Sequence, residues 1–323
     1  MNDLIAALLE AINDRTPQSL ERLVLLRALL TRVVELGEFE ADTSELTVAA
    51  TALDELLDAS NMFHAFRDRQ KLAVFGSART PPENPLYALA ESLSREMASR
   101  GWMVISGAGG GIMEAAAKGA GREFSLGVNI DLPFEQFPNP YIDASTKLVE
   151  MKYFFTRKAA LTRPSNAFVV LPGGFGTLDE AFEILTLLHT GKAEPAPMIL
   201  LDSPGGRFWS TWREFVQNEI IDSEYIKVGD LDLVSFATSV DEVVTEIEGF
   251  YANYQGCTIA EGVATLRLKK GPDPDQMKDL ARLVPEFAAD GGFSWSPPYL
   301  RFGFNGRNYV ALRRAINATN SWA

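Results

Sequence analysis

Short apolar runs alternate with helical stretches along the middle of the chain. Five such runs cover residues 72–76, 103–107, 126–130, 167–171 and 198–202. Apolar residues recur at helical spacing between them, near 86–100, 111–122, 151–164, 177–190 and 207–219. Buried strands that alternate with helices are typical of a parallel sheet covered on both faces. The pattern predicts an α/β fold over residues 71–254, with a doubly wound parallel sheet of the Rossmann-like kind.

The first part of the chain has a different texture. Residues 1–70 contain no lysine and carry a net charge of −7, from six arginines and thirteen acidic residues. Apolar positions recur at helical spacing over residues 20–34, and residues 44–66 also read as helical. We predict a helical N-terminal region of two or three helices. Since no polar cluster converges there, we favour a scaffold or subunit-contact role for it.

The last part of the chain differs again. Within residues 255–323, the pattern predicts strands over 263–268 and 299–304 and a helix over 274–289. Asn305-Gly306 is a strong turn signal directly after the second strand. These elements predict a small α+β C-terminal tail domain.

Composition and charge exclude several functions. The net charge of −13 opposes general attraction to nucleic acid or to an anionic membrane surface. No apolar run approaches the roughly 18 residues needed to span a bilayer, and residues 1–4 lack the basic start of a secretory signal. One cysteine and two histidines provide neither a disulfide nor a structural zinc site. We expect a cytoplasmic protein without a metal, a nucleic-acid partner or a membrane partner.

Two of the predicted strands run through glycines directly into a helix. The glycines that follow these strands are Gly107, Gly109, Gly110 and Gly111 in one segment and Gly173, Gly174 and Gly176 in the other. Glycine lets a ligand approach the main chain closely, and the N–H groups at the start of the following helix favour an anion such as phosphate. Tight backbone packing is the alternative interpretation.

Neither glycine segment matches a familiar nucleotide-binding fingerprint. The P-loop pattern G-x-x-x-x-G-K-[ST] is absent, which disfavours a P-loop NTPase. The first segment lacks the spacing G-x-G-x-x-G, because Ile112 stands where the third glycine would be. A dinucleotide-dependent dehydrogenase is therefore also disfavoured.

A basic stretch lies between the two glycine segments. Residues 145–165 contain five basic side chains against the single acidic Glu150, a net charge of +4. The basic residues are Lys147, Lys152, Arg157, Lys158 and Arg163. A positive pocket in an acidic protein would attract a small anionic substrate; the alternative is a solvated surface. On a helix Arg157 and Lys158 point about 100° apart, so only one of them need face a pocket.

Thr177 and Glu180 allow two interpretations. Thr-x-x-Glu at a helix start is a capping box, in which the two side chains bond to each other's backbone N–H groups. In the functional interpretation, Glu180 is an acid–base or charge-stabilising group that lies apart from a bound phosphate. Such a separation suits a nucleotide, in which the phosphate and the reacting carbon lie some distance apart.

The segment from Pro172 to Glu180 resembles the P-G-G-x-G-T-x-x-E signature of the LONELY GUY (LOG) family. The members of this family are cytokinin-activating nucleotide phosphoribohydrolases that were earlier labelled lysine decarboxylases. The Arg157-Lys158 pair downstream of Met151 is similar to a second family element, and Gly76-Ser77 also matches. The resemblance covers roughly residues 71–250.

The resemblance implies a set of site residues. It makes Arg157 and Glu180 the catalytic pair. Substrate and phosphate contacts would come from Gly76, Ser77, Arg79, Gly109, Gly110, Gly111, Glu114, Lys158, Gly173, Gly174, Gly176 and Thr177. Compared with compact members, this chain has a longer gap between Met151 and Arg157 and has additional regions at both ends. We therefore regard it as a long form, for which the preferred base is open.

The activity implied is hydrolysis of the N-glycosidic bond of a nucleoside 5′-monophosphate, of AMP or cytokinin type, without a cofactor. A nucleotide-binding sensor or carrier without turnover is the alternative. Lysine decarboxylation with pyridoxal phosphate is rejected, because nothing identifies a Schiff-base lysine with an acidic partner for the pyridinium nitrogen. The resemblance also implies a homo-oligomer, a dimer or larger.

Overall fold

The computed structural model describes residues 2–39, 41–132, 137–289 and 292–323. The chain forms two compact units, one ending at Leu57 and the other beginning at Asp58. The domain boundaries predicted at residues 70 and 254 stay predictions. Within the described ranges, no helix is both long and apolar enough to cross a membrane.

Helices make up the first part of the chain, as predicted. They are α1 (Asn2–Arg15), α2 (Leu20–Glu38) and α3 (Thr43–His64). The Ser19 side chain caps α2 by accepting a hydrogen bond from the backbone N–H of Arg22. Helix α2 has no buried residue, and it exposes Leu20, Val24, Leu25, Leu29 and Val33.

A parallel sheet forms the centre of the second unit. Its strands are β1 (Lys71–Phe75), β2 (Met103–Ser106), β3 (Ser125–Ile130), β4 (Leu148–Met151), β5 (Ala167–Val170), β6 (Met198–Leu201) and β7 (Val234–Ala237). They lie in the order β4-β3-β2-β1-β5-β6-β7, and every neighbouring pair is parallel. The predicted doubly wound, Rossmann-like α/β fold is confirmed.

Helices follow most of these strands. They are α4 (Pro85–Ser99), α5 (Ile112–Phe124), α6 (Phe154–Thr162), α7 (Phe175–Thr190), α8 (Phe208–Phe215) and α9 (Val240–Phe250). Residues on alternate sides of a strand enter different cores. Ala73 and Phe75 belong to the core on one face of the sheet, whereas Leu72 and Val74 belong to the core on the other. This double burial explains why the central strands are mostly apolar.

The strand order reverses next to β1. From β1 the chain builds the sheet outward to β4, and it then returns to add β5 on the other side of β1. Phe75 at the end of β1 is in register with Val170 at the end of β5. Ligands of open α/β sheets bind at such switch points, beyond the carboxyl ends of the strands.

The sequence pattern missed two strands of this sheet. Both β4 and β7 lie at its edges and include partly exposed residues, so neither forms a fully apolar run. The helix predicted over 151–164 begins only at Phe154, because Met151 is the last residue of β4. The helix predicted over 207–219 ends at Phe215 and continues as a π-helical turn over Val216–Ile221.

A second, antiparallel sheet forms the C-terminal part of the chain. Its strands are β8 (Tyr254–Ala260), β9 (Val263–Leu268), β10 (Ser294–Ser296) and β11 (Tyr299–Gly303), in the order β10-β11-β9-β8. Its helices are α10 (Pro274–Leu283), α11 (Pro285–Ala289) and α12 (Tyr309–Asn320). The predicted α+β tail is confirmed. The helix predicted over 274–289 is two helices, because Pro285 disfavours helical backbone at the residue before it.

Candidate functional site

A cavity of about 660 Å³ lies at the switch point of the parallel sheet. The ends of β1, β2 and β5 and the first turns of α6 and α7 contribute its polar lining. The residues from these elements are Gly76, Ser77, Ala78, Arg79, Gly107, Arg157, Gly173, Gly174, Gly176, Thr177, Asp179 and Glu180. The structure therefore brings most of the second glycine segment together with Arg157.

The start of α7 presents uncapped backbone to this cavity. Its N-cap residue is Gly174, and no side chain accepts a hydrogen bond from the first turn. The capping-box interpretation of Thr177 and Glu180 is wrong, because the helix begins at Phe175 and Thr177 lies inside it. Uncapped N–H groups at a helix start form a site that suits an anion.

Gly173 lets the ends of β1 and β5 approach each other. A Cβ atom there would overlap the Thr177 hydroxyl and would lie 2.9 Å from the backbone nitrogen of Ser77. The Ser77 N–H donates to the carbonyl oxygen of Pro172 at 3.2 Å. Gly174 and Gly176 differ, since a Cβ atom at either position would meet nothing within 4 Å. The loop is therefore tight at its first glycine and open to a ligand at the next two.

Glu180 projects from the first turns of α7 and is only 5% exposed. Its Oε2 atom has no hydrogen-bond partner in the described structure. Burial raises the pKa of this carboxyl group to about 7. The positive charges of Arg157 and Lys158 oppose that shift in pKa, and the nearby carboxylates of Glu183 and Asp179 add to it. A buried carboxyl group that titrates near neutral pH is suited to acid–base chemistry.

Arg157 supplies the cation opposite Glu180. The Nε–H of its guanidinium donates to the carbonyl oxygen of Val128 in β3 at 3.1 Å. This hydrogen bond ties the Arg157 side chain to β3. Burial lowers the pKa of this guanidinium, and the charge of Glu180 raises it. Arginine stays protonated in proteins, so Arg157 carries a positive charge into the cavity.

Lys158 points away from the cavity. Its Nζ lies 2.8 Å from Oδ1 of Asp179 and 2.6 Å from Oε2 of Glu183, both on α7. As the helical spacing predicts, only Arg157 of the pair lines the cavity. Lys158 instead joins α6 to α7, and its assignment as a substrate contact stays a prediction.

Most of the first glycine segment lies outside the cavity lining. Gly109, Gly110, Gly111 and Glu114 are not among the residues that line the cavity. Gly111 has a φ of +62°, and a Cβ atom there would overlap the backbone of the loop after β1. Glu114 accepts a hydrogen bond from the Tyr87 hydroxyl at 3.2 Å. The tight-packing interpretation fits Gly111, and the substrate contacts predicted for these four residues stay predictions.

The basic residues predicted to form a positive pocket do not all converge. Lys147 donates to the carbonyl oxygens of Arg122 and Glu123 near the end of α5, and Arg163 lies at the C-terminal end of α6. Of these basic residues only Arg157 lines the cavity, which also receives Arg79 from the loop after β1. Folding thus separates charges that are close together in sequence.

Sequence reasoning included Gly107 in a glycine segment without assigning it to the site, and it missed an apolar wall of the cavity. The wall includes Met113, Ile130, Leu132, Phe154, Phe175 and Leu178. Phe175, the first residue of α7, is 94% exposed. No motif marks these positions, because apolar residues there look like ordinary core residues. Among the described residues, no group of histidine, cysteine, aspartate and glutamate side chains is arranged to hold a metal ion.

Comparison with protein families gives a match over residues 110–247, to a family described as "Possible lysine decarboxylase". The matched range includes both Arg157 and Glu180. A Mycobacterium tuberculosis protein named "Cytokinin riboside 5'-monophosphate phosphoribohydrolase" is 32% identical over 142 residues, which are 42% of this chain and 72% of that protein.

Further relatives carry the same name. The Mycobacterium marinum protein is 28% identical over 182 residues, covering 54% of this chain and 92% of that protein. The Arabidopsis thaliana protein LOG3 is 24% identical over 186 residues, covering 56% of this chain and 83% of that protein. Among solved structures, a molybdenum cofactor binding protein from Rippkaea orientalis matches with a TM-score of 0.42 and 20% identity, covering 57% of this chain and 98% of that one.

Proposed function

Because the chain belongs to the LONELY GUY (LOG) family of phosphoribohydrolases, we propose that it hydrolyses the N-glycosidic bond of a nucleoside 5′-monophosphate. The products are the free base and ribose 5-phosphate. The observation that carries the proposal is the buried Glu180 carboxyl group, which has an unpartnered oxygen and lies beside a glycine-lined helix start.

The 5′-phosphate binds at the start of α7 in this proposal. The uncapped N–H groups of the first turn and the helix dipole favour a dianion. The open space at Gly174 and Gly176 lets the phosphate approach the main chain. Arg79 lines the same cavity and adds positive charge. Binding energy from the phosphate then fixes the distant C1′ atom of the ribose.

The chemical step takes place at C1′. Water adds its hydroxyl group to C1′ as the bond to the base nitrogen breaks, and the proton that water gives up ends on the departing base. Glycosidic cleavage passes through an oxocarbenium-like state. In its ionised form, Glu180 stabilises that positive charge or accepts the proton from water. The guanidinium of Arg157 holds the substrate and favours departure of the base.

Purified protein and AMP test this proposal. We expect free adenine to appear, and we expect Glu180→Ala to lower the rate by about 100-fold or more, the usual scale for an acid–base group. A panel of nucleoside monophosphates, including cytokinin nucleotides, identifies the preferred base. The matched unphosphorylated nucleosides should not react, since they lack the group that binds at α7.

Two results would contradict the proposal. Full activity in Glu180→Ala would remove Glu180 from the chemistry. Nucleotide binding without any release of base over hours would instead indicate the carrier or sensor function. From the family we also propose a homo-oligomer in the cytoplasm, and the exposed apolar residues of α2 support association between copies.

A further inference from the structure

Gly107 lies directly after β2 and is one of the residues that line the cavity. Its backbone does not adopt a left-handed conformation, so φ alone does not require glycine here. The small space around the residue favours glycine instead. A Cβ atom at Gly107 would overlap Nη2 of Arg157 and would lie 2.6 Å from the sulfur of Met113.

The atoms in the way are the ends of flexible side chains. An added methyl group could therefore be accommodated by movement of the Arg157 guanidinium and the Met113 thioether, with the backbone left in place. Gly111 offers the contrast, because a Cβ atom there would overlap backbone atoms of Ser77 and Ala78, and its φ is +62°. Substitution at Gly111 would disturb the fold, whereas substitution at Gly107 would disturb Arg157.

The position of Arg157 depends on few other contacts. Its Nε–H bonds to the carbonyl oxygen of Val128, and no direct ion pair joins it to Glu180 in the part of the chain that the structure describes. Nη2 of the guanidinium lies in the space that a side chain at Gly107 would fill. The missing side chain at Gly107 is therefore part of what directs the guanidinium into the cavity.

We propose that Gly107 is a positioning residue, whose lack of a side chain seats the Arg157 guanidinium in the cavity beside Glu180. This inference rests on the proposed function. Gly107 acts only through Arg157 and makes no contribution to the reacting atoms itself.

Gly107→Ala is the first test. We expect the variant to fold and to melt within a few degrees of the wild type, while kcat/KM for AMP falls by about 100-fold, the scale of a small misplacement of a catalytic group. Gly249→Ala in α9 is the matched control, since a Cβ atom there meets nothing within 4 Å. The control should keep full activity. A variant that fails to fold would overturn the proposal, because it would mean that the Arg157 and Met113 side chains cannot move aside for the added methyl group.

A double-mutant cycle with Arg157→Ala separates positioning from a general structural effect. If Gly107 acts through Arg157, adding Gly107→Ala to Arg157→Ala should lower kcat/KM by no more than about twofold. Losses that multiply in the double variant would contradict the proposal.

A readout without turnover distinguishes failure of this inference from failure of the proposed function. The ¹³C signal of the Glu180 carboxyl group, assigned by its loss in Glu180→Gln, reports the titration of that group. Because the charge of Arg157 lowers the pKa of Glu180, Gly107→Ala should raise this pKa and Gly249→Ala should not. An unchanged titration in Gly107→Ala would overturn the inference even if the wild type released base, and a shifted titration would support it even if the wild type released none.

Discussion

Glu180, which we propose acts in the reaction, is held in the fold at a cost to stability. The carboxyl group is buried on α7, one of its oxygens has no hydrogen-bond partner in the described structure, and burial raises its pKa to about 7. Buried polar atoms are normally satisfied, so an unsatisfied carboxylate oxygen on a residue that lines the cavity points to a ligand. Polar groups kept ready for chemistry commonly destabilise the free protein.

The pH dependence of the reaction follows from this pKa. In the proposed reaction the ionised form of Glu180 acts, so we expect kcat/KM for AMP to rise as the pH increases through about 7. The second ionisation of the substrate phosphate, near pH 6, is measured separately and removed from the profile. The rise in kcat/KM that remains near pH 7 should be absent in Glu180→Gln. A wild-type profile without this rise would argue against Glu180 as the titrating group.

Stability should depend on pH in the opposite direction. The unfolded carboxyl group titrates near 4.5 and the folded one near 7, so the folded state binds more protons in this interval. Stability is then full below the lower value and falls as the pH rises toward the upper one. We expect Glu180→Gln to raise the free energy of unfolding at pH 8 by roughly 1–3 kcal/mol, with little change at pH 4.5. Denaturant unfolding at both pH values measures this.

The exposed Glu214→Gln in α8 is the control for that experiment. It should change the unfolding free energy similarly at both pH values. If Glu180→Gln destabilised the protein at pH 8, the account of a desolvated and unpartnered carboxylate would be wrong.

At the scale of elements, ion pairs made by Lys158 connect α6 to α7. Arg157 and Lys158 are neighbours on α6, but they have different partners. Arg157 faces the cavity, while Lys158 binds Asp179 and Glu183 on either side of Glu180. These ion pairs thus link the helix that carries the cation to the helix that carries the carboxylate.

Lys158→Met should therefore change the pKa of Glu180 more than it changes phosphate binding. Loss of the lysine charge removes one influence that lowers the pKa of Glu180, so we expect the rising limb of the pH profile to move to higher pH. KM for AMP at high pH should change by no more than about twofold, because a charge outside the cavity adds little to binding. Kinetics of Lys158→Met and of the charge-retaining Lys158→Arg over pH 5–9 measure both effects.

A different outcome would restore the substrate contact that the family resemblance implies for Lys158. A large increase in KM for AMP in Lys158→Met, without any shift of the pH profile, would mean that the lysine reaches the phosphate.

The order of the central elements could be predicted because each signal is local. The runs at β1, β2, β3, β5 and β6 are mostly apolar, since these strands are buried on both faces. The edge strands β4 and β7 lack that signal, because each includes partly exposed residues. A strand at the edge of a sheet has only one neighbouring strand and is less buried, so its residues do not form the continuous apolar run that marks a central strand.

The candidate site was predictable only in part, for a related reason. The turn from Gly173 to Glu180 is contiguous, so its motif marks both the open helix start and the carboxylate. Gly107 acts through a contact with Arg157 that is 50 residues away along the chain, and no local pattern records such a contact. The capping interpretation of Thr177 failed because the N-cap is Gly174, three residues before Thr177.

At the scale of the whole molecule, one arginine ties the C-terminal helix to the parallel-sheet domain. Arg313 on α12 is 5% exposed. It donates to Oε1 of Glu246 on α9 at 2.7 Å and to the carbonyl oxygen of Ala196 at 3.2 Å. Its guanidinium carbon also lies 4.5 Å from the ring centroid of Phe250. The tail is thereby an integral part of the second unit.

Arg313→Met should weaken the fold without changing the site. Removing one partner of a buried pair leaves the other uncompensated, and Glu246 is one-third exposed, which lessens the penalty. We expect the free energy of unfolding to fall by about 2–3 kcal/mol, with KM for AMP unchanged at temperatures where the variant is folded. Thermal unfolding and kinetics at 20 °C measure the two effects, and an increased KM with an unchanged melting temperature would contradict this account.

A crystal structure of Glu180→Gln with AMP bound tests the central claim most directly. The substitution keeps the shape of the side chain and removes its charge, so the substrate should remain intact. We expect the 5′-phosphate at the N-terminal turn of α7, beside Gly174 and Gly176, with C1′ of the ribose facing residue 180 and the guanidinium of Arg157 toward the base. A phosphate bound elsewhere, or a ribose turned away from residue 180, would contradict the account.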